Sequence, residues 1–532
     1  MVKKKKNVIP ALVLSFSLFG TAVSAAPPEH PNYKERYIPV QLLGVNDFHG
    51  QLDVYRTVGG KQIGGADYLA AYLKKYESAA KKNTLLVQVG DAVGASAPTS
   101  ALLQDEPTIE FLNQLGFDVG TVGNHEFDEG VEEMMRLIYG GEHETTGTFE
   151  GANFPYTVAN VTDKETGEHI LPPYVIKKVN GMPIGFIGVV TTETPDIVTA
   201  SAVEGVEFTD EVEAINKAAA ELKEIGVQSI VVLAHNPVSS AQDGSNPTGD
   251  AAEFANQIDD EIDVIYGAHN HGYANTTADN KLIIQSYANG TAFSDVDLLI
   301  DPKTKDIVQK KAEIVTTFHE GIEPDAEVKE MVDSYKETVA PLVNEIIGQA
   351  SDPLTRDQDD SGESALGNLT ADSQRAAMGT DFAFMNPGGI RADIDAGDIT
   401  WGEAYTTFPF GNSLVSMELT GEQMKRVLEQ QWSGNYPRML QVSGLHYTWD
   451  KEASTGERVV EITDAQGNPV NPSQTYTVTV NSFLSTGGDG FTVLKEGKNL
   501  LNGPVDLDAL VEYIKDFKEP IKTPELDRIN VQ

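Results

Sequence analysis

Five short polar clusters, each directly after an apolar run of strand length, constrain the fold of this sequence more than any other feature. The apolar runs end at Val45, Val89, Val122, Leu233 and Tyr266. The clusters that follow them are Asn46–His49, Gly90–Asp91, Gly123–Glu126, Ala234–Asn236 and Gly267–His271. Short apolar runs bounded by turn residues predict buried strands, and ligands collect at the carboxyl ends of strands in α/β sheets. The pattern therefore predicts an α/β fold in which the carboxyl ends of the strands bring the polar clusters together in one site.

The side chains in these clusters are those that bind hard or borderline divalent metals. Taken singly, an aspartate or histidine after a strand is more simply explained as a turn former or a helix cap. Five such clusters together favour a metal centre of two ions, as in a two-metal hydrolase. The candidate ligands are Asp47, His49, Asp91, Asn124, His235, His269 and His271.

The spacing of these residues predicts how two ions would share them. Asp47 and His49 stand two residues apart, so on an extended exit from a strand both face one side and suit one ion. Asp91 follows a glycine and carries two oxygens, which suits a bridge between the ions. The second ion is then served by Asn124, His235 and His269, and His271 returns to the first. A hydroxide between ions roughly 3.5–4 Å apart is the predicted nucleophile.

His125 is predicted to face the substrate, because an extended backbone would turn it away from its neighbour Asn124. Asp128, three residues later, is placed to orient the imidazole, as in general acid–base pairs. The alternative for Asp128 is a cap on the helix predicted over residues 131–138, and the two roles are compatible. The remaining histidines are interpreted as surface or loop residues: His30, His143, His169, His319 and His446.

The N-terminus has the three parts of a secretory signal. Basic residues Lys3–Lys6 precede the apolar run Val8–Phe19, and small residues follow at Ser24–Ala26. We expect residues 1–26 to be a signal peptide and the mature protein to be secreted or otherwise extracytoplasmic, in a periplasm or cell wall space. The apolar run is short for a membrane span, and no span is predicted after it. With 0 cysteines, stability must come from packing and bound metal rather than disulfides.

The charge of the chain excludes some partners. The formal charge is −41 at pH 7, and removing residues 1–26 takes away four lysines and no acidic residue, which leaves −45. Such a surface repels nucleic-acid polymers and anionic membranes. An enzyme of anionic substrates would need metals and arginines inside its site to reverse this field locally.

The 532 residues are too many for one ordinary core and predict two domains. Strand-like and helix-like runs alternate over residues 37–320, which predicts a layered α/β domain. A helical linker is predicted over residues 321–347, with one long amphipathic helix from Pro324 to Ile347. A second, smaller α/β unit is predicted over residues 348–531. The other predicted helices are Ala66–Glu77, Glu106–Leu115, Val131–Ile138, Glu211–Ile225, Ala251–Ile258 and Leu366–Met378.

The ordered motifs Asp-x-His, Gly-Asp, Gly-Asn-His-Glu, His and Gly-x-His-x-His resemble those of the calcineurin-like metallophosphoesterases. In the second half, Asn386–Arg391, Phe410–Asn412 and Thr486–Gly490 resemble the C-terminal domain of the bacterial 5'-nucleotidase family. The resemblance covers nearly all of the mature chain. It implies a layered α/β/β/α metallophosphoesterase domain followed by an α/β substrate-binding domain. It also implies phosphate release from nucleoside 5'-monophosphates, with UDP-sugars and 2',3'-cyclic nucleotides as further substrates of the family.

The resemblance also implies roles for single residues. It gives the first ion to Asp47, His49, Asp91 and His271, and the second to Asp91, Asn124, His235 and His269. His125 and Asp128 become the catalytic dyad. The substrate-binding residues would be Arg356 and Arg391 for phosphate, Phe410 and Phe483 as a sandwich for the base, and Asn386, Gly389, Asn412, Gly444 and Asp489 around them. Two divalent ions are implied, and the donor set leaves zinc, manganese, cobalt and iron open.

Two positions depart from the family pattern. Some relatives carry a second arginine four residues after the match to Arg356, where this sequence has Asp360. A clamp with fewer arginines should bind multiply charged phosphates less well. Pro387 replaces a glycine in the turn before Gly388, which is compatible with a rigid turn.

Two alternative functions remain at this point. A thiosulfohydrolase would keep the scaffold and change the bond cleaved, but the two phenylalanines and Asp489 favour a nucleoside. A surface binding protein with a dead site would have no need for every ligand together with His125. Ordinary core packing is the alternative role for Phe410 and Phe483.

Overall fold

The computed structural model describes residues 37–80, 83–434 and 436–532. The predicted signal peptide and His30 lie outside these residues. Within the described ranges, no helix has the length and apolar character needed to cross a membrane.

The first part of the chain contains eighteen strands and seven α-helices within the described residues. The strands are β1 (Ile38–Val45), β2 (Tyr55–Val58), β3 (Lys61–Gly64), β4 (Thr84–Val89), β5 (Val119–Thr121), β6 (Gly141–His143), β7 (Gly147–Phe149), β8 (Tyr156–Thr157), β9 (Val161–Asp163), β10 (Tyr174–Val179), β11 (Met182–Val190), β12 (Val206–Phe208), β13 (Ser229–His235), β14 (Ile262–Tyr266), β15 (Tyr273–Ala278), β16 (Lys281–Ser286), β17 (Ala292–Ile300) and β18 (Ile307–Thr316). The helices are α1 (Ala66–Ala79), α2 (Pro98–Ala101), α3 (Glu106–Leu115), α4 (Val131–Tyr139), α5 (Thr194–Ile197), α6 (Glu211–Glu224) and α7 (Asp250–Phe254).

Two six-stranded sheets form the centre of the first domain. Their strand orders are β18-β17-β1-β4-β5-β8 and β10-β11-β13-β14-β16-β15. The central strands β1, β4, β5 and β8 run parallel in one sheet, and β11, β13, β14 and β16 run parallel in the other. An apolar core that includes Leu42, Val87, Phe186, Val231 and Val264 fills the space between the sheets. Parallel strands in one sheet place their carboxyl ends at the same edge, which is where the polar clusters follow.

Helices cover the outer face of each sheet. The core that includes Leu43, Leu69 and Phe111 joins α1 and α3 to the first sheet. A second core that includes Ile215 and Val232 joins α6 to the other sheet. Each helix buries one apolar face, as the three- and four-residue spacing predicted. The layered α/β/β/α prediction is confirmed. The helix predicted over Ala251–Ile258 is shorter, because α7 ends at Phe254.

The remaining described residues contain α8 and the second domain. The strands are β19 (Ile346–Ala350), β20 (Phe382–Met385), β21 (Gly397–Thr400), β22 (Ser413–Thr420), β23 (Gln441–Ser443), β24 (Leu445–Trp449), β25 (Val459–Asp464), β26 (Thr475–Asn481), β27 (Lys498–Val505) and β28 (Ile529–Val531). The helices are α8 (Ala326–Val343), α9 (Ala365–Met378), α10 (Trp401–Thr407), α11 (Gly421–Glu429), α12 (Ser482–Ser485) and α13 (Asp506–Lys515).

Helix α8 connects the two domains and is shorter than the predicted Pro324–Ile347. Asp325 caps it by accepting from Val328 N at 3.1 Å. Val328 and Val332 pack into the core of the first domain, while the helix also contacts α10 of the second. The prediction that it continues to Ile347 is wrong, because Ile346 already begins β19, which pairs with β21.

A five-stranded sheet of order β23-β20-β26-β22-β27 forms the centre of the second domain. A three-stranded sheet of β25, β24 and β28 lies beside it. Helix α9, capped by Ser364, packs against the larger sheet. Strand β20 ends at Met385, so the cluster Asn386–Arg391 emerges from its carboxyl end.

Candidate metal centre and substrate cleft

The seven predicted metal ligands come together at one edge of the first domain, where β1, β4, β5, β13 and β14 end. We call them the metal-ligand pocket: Asp47, His49, Asp91, Asn124, His235, His269 and His271. His235 Nε2 lies 3.1 Å from Asp91 Oδ2, and His49 Nε2 lies 3.0 Å from His271 Nε2. His269 Nδ1 lies 2.8 Å from Asn124 Oδ1. Two donor groups, Asp47–His49–His271 and Asp91–His235–His269, each fit within 4.8 Å.

The backbone that carries these ligands is left-handed rather than extended. Five of the seven have positive φ: Asp47 (49°), His49 (51°), Asp91 (50°), His269 (76°) and His271 (54°). The prediction of an extended exit from the strands is therefore wrong. Non-glycine residues in this region cost about 1–3 kcal/mol each, and such strain concentrates at functional sites. Left-handed turns directly after the strands let successive donors point back into one pocket.

The hydrogen bonds of two histidines show that the pocket suits cations. His49 Nδ1 donates to the Gly94 carbonyl at 2.8 Å, and His235 Nδ1 donates to the Val89 carbonyl at 2.9 Å. Carbonyl oxygens only accept, so each Nε2 is left free to present a lone pair. His235 Nε2 is buried without a hydrogen-bond partner although Asp91 is close. An imidazole lone pair aimed at a carboxylate needs a shared proton or a metal ion between them, and the donor set fits divalent metal.

The pKa shifts of the ligands indicate that protons and metal ions would compete for the same side chains. Burial lowers the pKa of His235, but Asp91 and Asp47 outweigh it and raise that pKa to about 9. Burial raises the pKa of Asp47 to about 7. Burial lowers the pKa of His269 and of His271 to about 3, with a further contribution from Arg391 at His271. Metal binding would displace the shared protons, because ligands bind metal deprotonated.

His125 and Asp128 form a direct pair beside the pocket. His125 Nδ1 and Asp128 Oδ2 are 2.8 Å apart. The extended backbone predicted for His125 is wrong, because a 3-10 turn spans His125–Phe127. The cap proposed for Asp128 is also wrong, because Gly130 holds the N-cap position of α4. Burial lowers the pKa of His125, but Asp128 and Asp91 raise it above its usual value overall.

Gly94 joins the metal ligands to this pair. Its carbonyl accepts from His49, as described above. A side chain at this position would place Cβ 2.5 Å from the His125 carbonyl oxygen and 2.9 Å from Asp128 Oδ2. The φ of Gly94 is +82°, a region that also favours glycine. The loop after β4 therefore fits under both histidines only without a side chain.

Glu126 and Asn46, for which the sequence predicted no role, stabilise the loops that carry the metal ligands. Glu126 accepts from the backbone N–H groups of Asp91, Ala92 and Gly123 at 2.9, 2.8 and 2.5 Å. Asn46 donates to Asp47 Oδ2 at 2.6 Å. Their position inside the polar clusters, next to predicted ligands, is the sequence feature that could have indicated this role. They orient the loops that present the ligands.

The second domain reaches the pocket through Arg391 and Phe410. The Phe410 ring stacks on His125 with centroids 5.7 Å apart and an interplanar angle of 11°. Arg391 lies with Cζ 5.7 Å from the centroid of the Phe410 ring, and its charge adds to the burial that lowers the pKa of His49. Arg356 is close by, because its Nη1 donates to the Ile390 carbonyl at 3.2 Å. The predicted phosphate-binding arginines thus lie between the two domains.

The other predicted substrate-binding residues lie together, and we call them the nucleoside cleft after the role predicted for them: Asn386, Gly389, Asn412, Phe483 and Asp489. Asn386 Nδ2 donates to Asp489 Oδ2 at 3.0 Å, and Asn412 Oδ1 accepts from Ser482 Oγ at 3.0 Å. Phe483 is half-buried at the edge of the domain core. A Cβ at Gly389 would lie 2.5 Å from Met385 Cε, the end of a flexible side chain. The turn Gly488–Gly490 packs against α5, so these residues lie at the boundary between the domains.

Gly444 does not lie in this cleft, so the prediction that it contacts the base or ribose is wrong. In the β20–β23 pairing Ala383 faces Ser443 and Met385 faces Gln441. Gly444 thus lies at the opposite end of β20 from Asn386, where its Cβ would meet the Asp381 carbonyl at 2.3 Å. The segment that precedes β23, not the glycine that follows it, approaches Asp489.

The structure also places five further residues discussed from the sequence. Asp360 is exposed in the loop after Arg356, beside Asp359, which accepts from Ser361. Of the histidines interpreted as surface or loop residues, His143 lies in β6 and His446 in β24, and both make hydrogen bonds at the surface. His169 and His319 are half-buried.

Comparison with known proteins identifies both halves of the chain. The family model for calcineurin-like phosphoesterases matches residues 40–273, and the model for the 5'-nucleotidase C-terminal domain matches residues 346–496. The endonuclease YhcR of Bacillus subtilis is 45% identical over 96% of this chain, which spans 43% of that relative's length. The cell wall protein Lmo0130 of Listeria monocytogenes is 38% identical over 90% of the chain and 67% of its own length.

Solved structures agree with these matches. The 5'-nucleotidase precursor from Thermus thermophilus is 30% identical, with a TM-score of 0.78 over 93% of this chain and 99% of that one. The sulfate thiohydrolase SoxB from the same genus has a TM-score of 0.72 over 92% and 96%, but at 18% identity it shows the fold alone. The chain therefore belongs to the 5'-nucleotidase family, with a calcineurin-like phosphoesterase domain and a 5'-nucleotidase C-terminal domain, a family of phosphoric ester hydrolases.

Proposed function

We propose that this protein is an exported, metal-dependent phosphohydrolase that releases phosphate from nucleoside 5'-monophosphates. The observation that carries the proposal is the stacking of Phe410 on His125, with Arg391 over the Phe410 ring, beside the metal-ligand pocket. An aromatic ring and a guanidinium from one domain thus lie next to the candidate metal ligands of the other. A nucleotide offers the matching groups, a base for the ring and a phosphate for the guanidinium.

The metal-ligand pocket would hold two divalent ions, with Asp91 shared between them. Such ions supply Lewis acidity to phosphoryl oxygens and lower the pKa of bound water. Asp47, His49 and His271 would serve one ion, and Asn124, His235 and His269 the other. The donor types suit zinc, manganese, cobalt or iron.

His125, oriented by Asp128, would act as the general acid of the reaction. Asp128 accepts the Nδ1–H of His125, which fixes the ring and leaves Nε2 for the substrate. Burial lowers the pKa of His125, but Asp128 and Asp91 raise it overall, which favours the protonated imidazole that would donate toward the leaving oxygen. Arg391 and Arg356 would bind the phosphate oxygens and counter the acidic surface locally.

Phe410, Phe483 and the nucleoside cleft would bind the rest of the nucleotide. One face of the Phe410 ring is stacked on His125, with centroids 5.7 Å apart. Phe410 would withdraw from His125 if a base is to stack on that face. The connection α8–β19 between the domains is the place for such a hinge.

Export and substrate range complete the proposal. The signal-like N-terminus supports an extracytoplasmic location, as does a relative named as a cell wall protein. UDP-sugars and 2',3'-cyclic nucleotides are proposed as further substrates, because the cleft would bind their nucleoside and the pocket their phosphate.

A hydrolysis screen tests this function. Purified protein would be assayed for phosphate or thiosulfate products with AMP, a UDP-sugar, a 2',3'-cyclic nucleotide, a base-free phosphomonoester and a thiosulfate conjugate. We expect AMP to be turned over best, chelation to stop turnover and added divalent metal to restore it. Full activity after complete metal removal contradicts the metal role. Turnover of the thiosulfate conjugate alone supports the thiosulfohydrolase alternative, and no turnover of any substrate supports the binding-protein alternative.

Cleavage of nucleic acid is a second candidate, because a 45% identical relative is named an endonuclease. That relative is more than twice as long as this chain, and the charge of −41 opposes binding of a polymer. A single-stranded oligonucleotide in the same screen decides between them. We expect release of terminal phosphate at most, and internal cleavage would favour the second candidate.

A further inference from the structure

The segment before β23 brings a charged side chain to the nucleoside cleft. Arg438 Nε lies 3.4 Å from Asp489 Oδ1, and the two side chains are only 17% and 13% exposed. The Arg438 guanidinium also lies over the Tyr436 ring, with Cζ 4.5 Å from its centroid. Its Nη2 donates to the Tyr436 hydroxyl at 3.2 Å. Arg438 is thus held between an exposed ring and a largely buried carboxylate.

Arg438 is one end of a network that reaches the base-binding side of the cleft. Asp489 accepts from Asn386 Nδ2 at 3.0 Å, and Asn386 Oδ1 accepts from Asn481 Nδ2 at 2.9 Å. Asn481 Oδ1 in turn caps α12 through Leu484 N at 2.8 Å. Helix α12 carries Phe483. The position of Asp489 is therefore tied to that of the ring proposed to stack on the base.

The free acceptor positions of Asp489 match a particular ligand group. A carboxylate offers about four lone-pair sites, two on each oxygen. Asn386 occupies one on Oδ2 and Arg438 faces one on Oδ1, so each oxygen keeps one site. Two acceptors on neighbouring oxygens suit two adjacent hydroxyls that both donate. Among the parts of a nucleotide, the 2',3'-diol of ribose presents this pair.

The ion pair keeps Asp489 able to accept both hydrogen bonds. Burial raises the pKa of Asp489 above its usual value, and Arg438 and Asn386 offset only part of that rise. Without the guanidinium, the buried carboxyl would take up a proton more readily and would be free to rotate. A protonated carboxyl loses an acceptor site. The residue φ of +57° adds a constraint on the backbone, but it does not fix the carboxyl plane.

We infer that Arg438 is a positioning residue that makes the enzyme prefer ribonucleotides to 2'-deoxyribonucleotides, by orienting Asp489 toward the ribose diol. The inference rests on the proposed nucleotide function and adds a determinant of its substrate class. Arg438 touches neither the phosphate nor the metal ligands in this arrangement. Its loss should therefore act on nucleoside binding and leave the chemical step alone.

Steady-state kinetics with AMP and 2'-deoxy-AMP test the inference in the wild-type protein, Arg438→Met and Arg438→Lys. A hydrogen bond to a charged group is worth about tenfold in binding or somewhat more. We expect Arg438→Met to raise the KM for AMP about tenfold, with kcat little changed, and to bring the AMP to 2'-deoxy-AMP ratio of kcat/KM toward one. Arg438→Lys should restore part of that ratio, because it restores the charge.

The matched control is Arg426→Met. Arg426 makes an ion pair with Glu496 on the surface of the same domain, 2.7 Å between Nη2 and Oε1, with side chains 48% and 43% exposed. We expect this variant to behave as wild type with both nucleotides. Hydrolysis of a base-free phosphomonoester should be unchanged in all variants, which also shows that Arg438→Met is folded. An unchanged AMP to 2'-deoxy-AMP ratio in Arg438→Met overturns the inference.

Calorimetric titration with adenosine and 2'-deoxyadenosine separates this inference from the proposed function. If the wild-type protein hydrolyses no nucleotide, the proposed function fails, but nucleoside binding still reports on Arg438. We expect the wild-type protein to bind adenosine more tightly and Arg438→Met to lose that difference. Equal binding of the two nucleosides by the wild-type protein, or an undiminished difference in Arg438→Met, contradicts the inference.

Discussion

The metal-ligand pocket and the nucleoside cleft are built by different means. The pocket is fixed by the backbone, since its ligands lie on left-handed turns after strands and histidines such as His49 and His235 donate to main-chain carbonyls. The cleft is fixed by contacts between side chains, as in Asn386 with Asp489 and Asn412 with Ser482. Backbone-fixed sites tolerate little change, whereas side-chain networks can be altered one contact at a time. Changes in the pocket should therefore act on every substrate, and changes in the cleft should act on nucleotides alone.

Asp91→Ala should have the largest effect. The carboxylate accepts from His125 N at 2.9 Å and faces His235 and His49, so its loss removes a ligand proposed to serve both ions. We expect phosphate release to fall to background for AMP and for a base-free phosphoester alike, with less than two metals per chain by elemental analysis. Asp297→Asn, an exposed change on the same sheet, is the control. If the Asp91 variant kept both metals and the full rate, the proposed difference between the metal-ligand pocket and the nucleoside cleft would be wrong.

His125→Ala should have the next largest effect. A general acid–base group contributes about 10²- to 10⁴-fold, and His125 is proposed to act without binding metal. We expect kcat to fall within this range for both substrate types while two metals per chain remain. His319→Ala removes an imidazole that stacks on Tyr68, centroids 3.6 Å apart, and should leave kcat unchanged. Metal loss in His125→Ala would instead make His125 a ligand, a role its distance from His49 and Asp91 also permits.

The double variant Phe410→Ala and Phe483→Ala should separate the two regions. Stacking is worth about 1–3 kcal/mol per base, so nucleotide turnover should drop by roughly ten- to a hundredfold. Hydrolysis of a base-free phosphoester should change little. Equal loss for both substrates in a folded protein would show that these rings are core residues. Val415→Ala, in the core of the same domain, should lower the melting temperature without selecting between substrates.

Asp506→Asn should have the smallest effect. We expect it to change how the free energy of unfolding depends on pH. Asp506 is 2% exposed at the start of α13 and its N–H donates to the Asn412 carbonyl at 2.8 Å. Burial raises its pKa from 3.8 to about 8. The folded protein then binds a proton that the unfolded chain has lost, so the free energy of unfolding should fall as pH rises from about 4 to 8.

The measurement is the urea-induced unfolding of the second domain at pH 5 and pH 8. The wild-type protein should lose more stability between these values than Asp506→Asn, whose amide does not titrate. Asp508→Asn, an exposed change two residues later on α13, is the control and should follow the wild-type protein. Parallel pH curves for wild type and Asp506→Asn would show that the buried carboxyl is not the titrating group.

The sequence predicted the metal-ligand pocket well, because its signal is local. Each ligand follows a short apolar run, and parallel strands carry all such positions to one edge. The left-handed turns at Asp47 and His269 were missed, because nothing in the residue types distinguishes them from an extended exit. The role of Glu126 was missed as well, since its partners are backbone N–H groups on other loops.

The nucleoside cleft was harder to predict, because its residues come from loops whose spacing is not set by a strand. Gly444 was expected there on its resemblance alone, but the β20–β23 register carries it to the far end of the sheet. Arg438 was not expected, since its pairing with Asp489 joins two loops that no pattern in the sequence relates. The end of α8 was also misjudged, because the apolar residues Ile346 and Ile347 continue a helical pattern and pair as a strand instead.

The position of Gly94 limits how this enzyme can change over evolution. One carbonyl supports the imidazole of His49, and the missing side chain makes room for His125 and Asp128. A mutation at this point would disturb the proposed metal ligand His49 and the proposed catalytic pair His125 and Asp128 together. New activities on this scaffold should therefore arise by exchange of loops in the second domain, with the chemistry of the first inherited as a single unit.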